Sequence, residues 1–299
     1  MMDMLCITNL QKRFADKEVL KGMNLSVPEG SIFGFIGKNG SGKTTTMKTV
    51  LGLLKADGGE ILVNGEPVVY GQTNTNRHIG YLPDVPEFYS FMTADEYLTF
   101  CGEITGLSSA ESKGRRKELL ELVGLSNEKH RIGGYSRGMK QRLGIAQALI
   151  GKPKLIICDE PTSALYPVGR REILDVLLAA SKESTVLFST HILSDVESIC
   201  TDVAFLEGGR IVLQGTIAEL RAEKPSDEFI IQLGSASDKE RALEAFPELL
   251  VRDGDTVATK SEQAHIAEIM LKLTEMGVSV RKIERIEPTL ESLFMEVIK

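Results

Sequence analysis

The sequence predicts an α/β fold built on a parallel β-sheet, followed by a smaller α+β domain. Three short apolar runs indicate the sheet, because uninterrupted apolar runs are typical of parallel strands that are buried on both faces. These runs are residues 32–36, 155–158 and 185–189. They are followed, respectively, by a glycine-rich turn, an acidic pair and a histidine. Since open α/β sheets bind ligands beyond the carboxyl ends of their strands, we expect a site at that edge.

Composition narrows the class of protein. The 299 residues suffice for a full hydrophobic core, and 42% hydrophobic with 26% charged residues is typical of globular domains. The net charge of −7 argues against nucleic acid as the main partner, because that role usually requires a basic stripe. Four widely spaced cysteines, with no C-x-x-C pair, predict reduced thiols rather than disulfides or zinc ligands.

Two strands are predicted ahead of the parallel sheet. They cover Leu5–Leu10 and Glu18–Val27, and a loop over Gln11–Lys17 joins them. Phe14 lies in this loop. From the residues alone, an isolated phenylalanine is more often part of a core than a ligand contact.

The glycine-rich turn after the first apolar run carries the strongest signal in the chain. It has the pattern glycine, four residues, glycine-lysine-threonine, and it precedes a predicted helix over Thr44–Leu54. Such a loop surrounds phosphate oxygens with backbone N–H groups, while its lysine reaches the β- and γ-phosphates and its threonine is placed to bind Mg²⁺. The sequence therefore predicts a nucleoside triphosphate site. The residues expected to form it are Gly37, Lys38, Asn39, Gly40, Ser41, Gly42, Lys43, Thr44 and Thr45.

A helical insertion is predicted over about residues 85–150. Thr93 and Glu96 form a capping-box pattern for a helix over Ala94–Thr105, and a second helix is predicted over Ser108–Val123. A third helix follows two glycines, with Ser136 as its N-cap. Its entry would suit an anion, although such an entry, taken alone, is more often only a cap.

Acidic residues end the second apolar run. An apolar strand would carry Asp159 and Glu160 directly to the edge of the sheet, so two solvated surface carboxylates are a poor explanation. A helix is predicted over Pro167–Ala180, because proline favours the first helical position. Of the four histidines, His191 alone stands at a strand end beside the acidic pair.

The chain is predicted to divide into two domains, residues 1–223 and 224–299. The stretch Lys224–Asp227 has the composition of a linker. Beyond it, a strand, two helices, a strand and a last helix predict an α+β domain without a chemical motif. It would be a regulatory domain, a support for dimers or a stabilising cap, and we favour the last.

Together these motifs resemble the ATPase subunits of ATP-binding-cassette (ABC) transporters. The phosphate loop matches the Walker A motif, and Leu155–Glu160 matches Walker B. Residues 135–139, Tyr-Ser-Arg-Gly-Met, occupy the place of the Leu-Ser-Gly-Gly-Gln signature. The resemblance covers residues 1–222 and implies a P-loop NTPase of ABC type. Its fold would be a RecA-like core with an antiparallel β subdomain and the helical insertion.

The resemblance also implies a role for each site residue. Lys43, Glu160 and His191 match catalytic positions, with Glu160 polarising the attacking water and His191 contacting the γ-phosphate. The residues that match the Mg²⁺ site are Thr44, Asp84 and Asp159. The remaining ATP contacts are Phe14, which would stack on adenine, and Ser136 and Gly138, which would come from a second subunit.

Several positions depart from the family pattern. Asp84 stands where the family has glutamine or, in this branch, often glutamate. In the signature, Arg137 and Met139 replace glycine and glutamine. Tyr166 replaces an aspartate in a loop that normally crosses the dimer interface. The shorter carboxylate of Asp84 would reach Mg²⁺ only through water. Tyr166 bears on the coupling between subunits and leaves nucleotide binding itself untouched.

A narrower resemblance points to antibiotic and multidrug exporters. It rests on Tyr81-Leu82-Pro83, on the signature and on the ending over residues 287–294. Such subunits hydrolyse ATP with Mg²⁺ as head-to-tail dimers and power a separate membrane permease. The resemblance thus implies export of a small molecule, antibiotic, peptide or lipid, with a homodimer and a permease as partners and no nucleic acid.

The expected location is the cytoplasm, on the inner face of the cell membrane through the permease. No apolar run approaches the roughly 20 residues of a spanning helix, and the first residues lack the charge pattern of a signal peptide. The aromatic cluster at residues 88–91 is a candidate docking site for the permease, and local core packing is an equal alternative. Two other functions are weighed: a soluble ABC ATPase acting on the ribosome or nucleic acid, and an ATP-gated regulatory module with little turnover.

Overall fold

A computed structural model describes residues 3–72, 74–223, 228–260 and 263–298. The chain forms two compact units, Met1–Ile217 and Ala218–Lys299. The expected linker, Lys224–Asp227, lies outside the described residues.

An antiparallel sheet opens the first unit, as the sequence predicts in outline. Its strands are β1 (Asp3–Phe14), β2 (Lys17–Pro28), β4 (Gly58–Val63) and β5 (Glu66–Pro67), in the order β2-β1-β4-β5.

The loop predicted over Gln11–Lys17 is wrong, because β1 continues to Phe14, which pairs with Lys17. A distant carboxylate holds this extension: Asp57 accepts hydrogen bonds from Lys12 Nζ at 3.1 Å and from the Arg13 N–H at 2.6 Å. No local pattern marks that contact, so the sequence placed the turn too early.

The predicted parallel sheet is confirmed as the centre of this unit. Its strands are β3 (Ile32–Ile36), β6 (Ile79–Leu82), β7 (Leu155–Asp159), β8 (Thr185–Thr190), β9 (Asp202–Glu207) and β10 (Arg210–Thr216). The order is β10-β9-β3-β8-β7-β6, and only β10 is antiparallel to its neighbour. Every residue of β3, β7 and β8 is buried, as their apolar sequences require. Consequently the segments that follow these strands meet at one edge.

The helices of the first unit are α1 (Lys43–Val50), α2 (Ala94–Ile104), α3 (Ser109–Leu122), α4 (Arg137–Leu149), α5 (Pro167–Ala180) and α6 (Leu193–Ile199), and α7 (Ile217–Glu223) begins at the last residue of this unit. The first five lie at predicted places, whereas α6 is not predicted. Two 3₁₀ turns lie at Asn74–His78 and Ile132–Gly134. The capping box of Thr93 and Glu96 is present, and Ser136 caps α4 by accepting a hydrogen bond from the Met139 N–H. Helix α1 ends earlier than predicted, because Gly52 has a φ of 68°.

The second unit is the predicted α+β domain. Its elements are β11 (Glu228–Leu233), α8 (Ala236–Ala245), β12 (Leu250–Val251), β13 (Thr256–Lys260), α9 (Gln263–Glu275), β14 (Val280–Arg285) and α10 (Leu290–Ile298). The strands form an antiparallel sheet in the order β12-β13-β11-β14. A core that includes Phe229, Ile231, Val257 and Leu273 holds it together. The sequence pattern does not predict β12 and β13, which are short and only partly apolar.

Candidate functional site

The phosphate loop joins β3 to the amino end of α1. Two of its glycines leave no room for a side chain. A Cβ atom at Gly42 would lie 2.8 Å from Leu20 Cδ2, and the φ of 116° is itself unfavourable for other residues. A Cβ at Gly37 would lie 2.8 Å from the Leu206 carbonyl oxygen. The loop is therefore fixed by packing from β2 and β9 as well as by its own sequence.

Lys43 lies over this loop with its charge almost enclosed. Its side chain is only 6% exposed. The ammonium donates a hydrogen bond to the Gly37 carbonyl oxygen at 2.6 Å and forms an ion pair with Glu160 Oε1 at 3.0 Å. Because a buried ammonium requires such partners, the loop and the acidic strand are joined by this residue.

Asp159 connects the loop to the central strands. Its carboxylate, which is 2% exposed, accepts hydrogen bonds from Thr44 Oγ1 and from Ser189 Oγ, both at 2.6 Å. The Ser189 hydroxyl also accepts a hydrogen bond from the Glu160 N–H at 3.0 Å. Ser189 is thus the residue that fixes both members of the acidic pair. In the sequence, Ser189 is marked only as part of an apolar strand.

Glu160 occupies an unusual backbone conformation. Its φ is 49°, in the left-handed region that costs most non-glycine residues on the order of 1–3 kcal/mol. The carboxylate contacts Lys43 on one side and His191 Nδ1, at 2.8 Å, on the other. The acidic residue, the lysine and the histidine therefore meet at one point, as their positions in the sequence predict.

A cavity of about 410 Å³ opens at this point. The predicted residues that line it are Asn39, Gly40, Gly42, Lys43, Thr44, Thr45, Asp84, Glu160 and His191. It is also lined by Val19 and Ser163, which the sequence analysis did not select. Two further loop residues, Lys38 and Ser41, line a neighbouring cavity of about 300 Å³.

Five predicted residues do not line either cavity. Two of them, Gly37 and Asp159, are buried beside the loop, and the other three lie farther away. Phe14 lies at the end of β1, where its ring is 45% exposed and the Lys12 ammonium stands 5.2 Å from the ring centre. Ser136 and Gly138 lie at the amino end of α4, where the Ser136 hydroxyl serves as the helix cap. Within one chain the signature is therefore separate from the phosphate pocket.

Asp84 follows β6 and forms part of the pocket wall. Burial raises the pKa of its carboxyl group, the Arg137 guanidinium opposes this, and the negative charges of Asp159 and Glu160 raise the pKa further. The Asp84–Arg137 ion pair has a length of 3.3 Å. Two of the residues that depart from the family pattern thus contact each other.

Comparison with known proteins agrees with this site. Residues 20–163 match the family model of the ABC transporter domain, and residues 215–298 match the model described as "ATP-binding protein DrrA1-3-like, C-terminal domain". The ABC transporter ATP-binding protein YxlF of Bacillus subtilis is 39% identical over 99% of both chains. The bacitracin transport ATP-binding protein BcrA of Bacillus licheniformis is 34% identical, over 97% of this chain and 96% of its own.

Solved structures give the same result for the fold. A structure of the ATP-binding subunit of an ABC transporter has a TM-score of 0.65 and 32% identity, and it covers 74% of this chain and 92% of its own. Subunits of this family bind and hydrolyse ATP, dimerise and work with membrane permeases. Among the described residues, no helix has the length and apolar composition that crossing a bilayer requires. Because both family models match and a relative with 39% identity covers 99% of the chain, this protein belongs to the ATP-binding subunits of ABC transporters, which are ATPases coupled to transport.

Proposed function

We propose that this subunit powers the export of a small molecule, antibiotic, peptide or lipid through a separate permease. The meeting of Lys43, Glu160 and His191 around one cavity is the observation that carries the ATPase part of this proposal. Export is supported by the similarity to a bacitracin transport protein.

The oxygen ligands around the cavity suit Mg²⁺. Thr44 and Asp159 offer a hydroxyl and a carboxylate that lie 2.6 Å apart, and Asp84 lines the same cavity. Among the described residues, no group of three carboxylate, histidine or cysteine side chains is placed to hold a metal alone. Mg²⁺ commonly takes one or two protein ligands and completes its shell with phosphate and water oxygens, which fits this set. When bound, the ion would neutralise the charge that develops on the phosphates.

The residues of the chain then have distinct tasks in hydrolysis. The ammonium of Lys43 is directed into the loop and would meet the β- and γ-phosphates. Glu160 would accept a hydrogen bond from the attacking water, and His191 would contact the γ-phosphate beside it. Phe14, with an exposed ring, would stack on the adenine.

A second copy is needed to close the site. Ser136 and Gly138 lie away from the cavity of their own chain, so their contact with a γ-phosphate would come from another subunit that is turned head to tail. Closing the pocket excludes water and surrounds the phosphates with fixed donors, which stabilises the transition state. We propose a homodimer, because one chain carries both halves of such a site.

The surface beside Asp84 is a candidate docking site for the permease. A groove of about 460 Å³ lies there, and Pro86 and Phe88 line part of it. Phe88 packs on Tyr97 with ring centres 5.1 Å apart, whereas Tyr89 and Phe91 are 49% and 61% exposed. Tyr89 also packs on Tyr97 and Phe100, with ring centres 6.4 Å and 5.9 Å apart, so the aromatic cluster is packed locally and is exposed only in part. Docking there would place the protein on the inner face of the cell membrane.

The test is ATP hydrolysis by the chain assembled with its permease, compared with the Glu160→Gln variant. Loss of a catalytic group of this type is expected to lower kcat by about 10²–10³ while ATP binding persists, and ATP should then trap the variant as a dimer. Equal hydrolysis by both chains would contradict the role of Glu160. Stimulation by RNA rather than by the permease would favour the ribosome alternative, which the matches to transport subunits do not support.

A further inference from the structure

Two residues that depart from the family pattern form an ion pair between two cavities. Asp84 Oδ1 and Arg137 Nη2 are 3.3 Å apart, and both side chains are about half exposed. Asp84 lines the phosphate cavity and also the groove beside it, whereas Arg137 lines only the groove. The carboxylate therefore stands at the boundary, with one cation holding it toward the groove.

The backbone of Asp84 is anchored separately from its side chain. Its carbonyl oxygen accepts a hydrogen bond from Gln141 Nε2 at 2.6 Å, and Gln141 is fully buried. Gln141 lies four residues after Arg137 on α4, so both side chains project from the same helix face. Because α4 fixes the backbone through the buried amide, the carboxylate can change partners by rotating its own side-chain bonds.

The charges around Asp84 favour such a change when a metal–nucleotide complex enters. Asp159 and Glu160 repel the Asp84 carboxylate, and Arg137 is the cation that offsets this repulsion on the groove side. A divalent cation between Thr44, Asp159 and the phosphates would attract the same carboxylate directly or through water. Two cations would then compete for one carboxylate.

We propose that Arg137 is a positioning residue that holds Asp84 away from the metal–nucleotide site until Mg²⁺-nucleotide displaces it. This inference rests on the proposed Mg²⁺-ATP site. The exchange leaves the guanidinium unpaired beside Ser136 at the amino end of α4, where the partner copy's ATP is expected. Nucleotide binding thereby adds a free positive charge to the surface that must meet a second nucleotide.

A double-mutant cycle tests the exchange. Binding of a fluorescent, non-hydrolysable ATP analogue is measured against Mg²⁺ concentration, at protein concentrations too low for dimers. Arg137→Gln should tighten binding about two- to fivefold, the range expected for removing an exposed competing ion pair. In the Asp84→Asn background, the same change should have no effect on affinity, because the competition requires the carboxylate. Arg137→Lys, which keeps the charge, should stay near the wild type.

Dimer formation gives a second measurement, in which Arg137→Gln is expected to weaken an interaction rather than to strengthen it. At saturating nucleotide, Arg137→Gln should weaken dimerisation about tenfold in sedimentation experiments, because one cation is missing from the interface.

Lys140→Gln is the matched control for nucleotide affinity. Lys140 lines the same groove on the same helix, and its loss should leave the affinity for nucleotide unchanged.

Three results would overturn the inference. The first is weaker nucleotide binding by Arg137→Gln, which a damaged helix end would cause. The others are an equal gain in nucleotide affinity from Arg137→Gln in the Asp84→Asn background, and dimerisation of Arg137→Gln as strong as that of the wild type. Failure of the wild-type chain to bind Mg²⁺-nucleotide would instead contradict the proposed function, so the two failures are distinguishable.

Discussion

Ser189 shows how one small side chain can organise a pocket. Its hydroxyl donates a hydrogen bond to Asp159 and accepts one from the backbone of Glu160, which itself has a left-handed φ. Removing the hydroxyl would leave a buried carboxylate with one donor fewer and would free the strained backbone to relax. The effect should fall on the orientation of the acidic pair rather than on the phosphate loop.

Ser189→Ala is therefore expected to lower kcat about tenfold, since a buried hydrogen bond to a charged group contributes roughly 1.5–3 kcal/mol and part of that loss is relieved by relaxation. Nucleotide affinity should change less than threefold, because Lys43 and the loop glycines remain in place. Steady-state ATPase assays and nucleotide titration measure the two effects. Ser181→Ala is the control, because that hydroxyl is exposed and caps only its own helix. Equal losses in affinity and kcat would contradict the role given to Ser189.

At the scale of elements, α4 lies very close to β6. A Cβ atom at Gly80 would lie 2.1 Å from the carbonyl oxygen of Ala148, and one at Gly144 would lie 2.4 Å from Leu82 Cδ1. These two glycines thus let α4, which begins within the signature, approach β6, the strand that precedes Asp84. The ion pair and the buried Gln141 contact depend on this close approach.

Gly80→Ala should consequently destabilise the first unit by about 1–3 kcal/mol, because the added methyl group meets a backbone atom that has little freedom to move. Gly114→Ala is the matched control: this glycine lies inside α3, its surroundings are open, and alanine should stabilise the helix by about 0.5–1 kcal/mol. Urea unfolding of the full chain, followed with a probe in the first unit, measures both changes. Equal stability of the two variants would show that the helix and strand are less closely packed than described.

At the scale of the whole molecule, the proposed assembly depends on surfaces that one chain leaves open. Tyr166 is 88% exposed in the loop that begins at the cavity residue Ser163, and Tyr89 and Phe91 are exposed beside the groove. Large exposed side chains of this type are typical of contact sites. In the proposed assembly, Tyr166 would contact the second copy, and Tyr89 and Phe91 would contact the permease.

Replacing both Tyr89 and Phe91 by alanine should release the permease from the complex at least tenfold more readily, because aromatic anchors carry much of the energy of such interfaces. ATP binding by the free chain should stay unchanged, since neither ring lines the phosphate cavity. Co-purification with the permease and nucleotide titration measure the two outcomes. Leu53→Ala, another exposed apolar residue of the first unit, serves as the control. Intact assembly of the double variant would show that the permease docks elsewhere.

The sequence by itself determined the features whose signals are local. The phosphate loop, the acidic strand end, His191, the capping box at Thr93 and the buried parallel strands all follow from residues close together in the chain. Such features require only backbone preferences and apolar periodicity, which neighbours in sequence supply.

Only the tertiary structure decided which distant side chains meet. It joined Asp57 to Lys12 and so lengthened β1, it placed the Ser189 hydroxyl between the Asp159 carboxylate and the Glu160 N–H, and it paired Asp84 with Arg137. These contacts bridge tens of residues, and each depends on how closely packed elements approach one another. A polar side chain in the sequence has many possible partners, and packing selects among them.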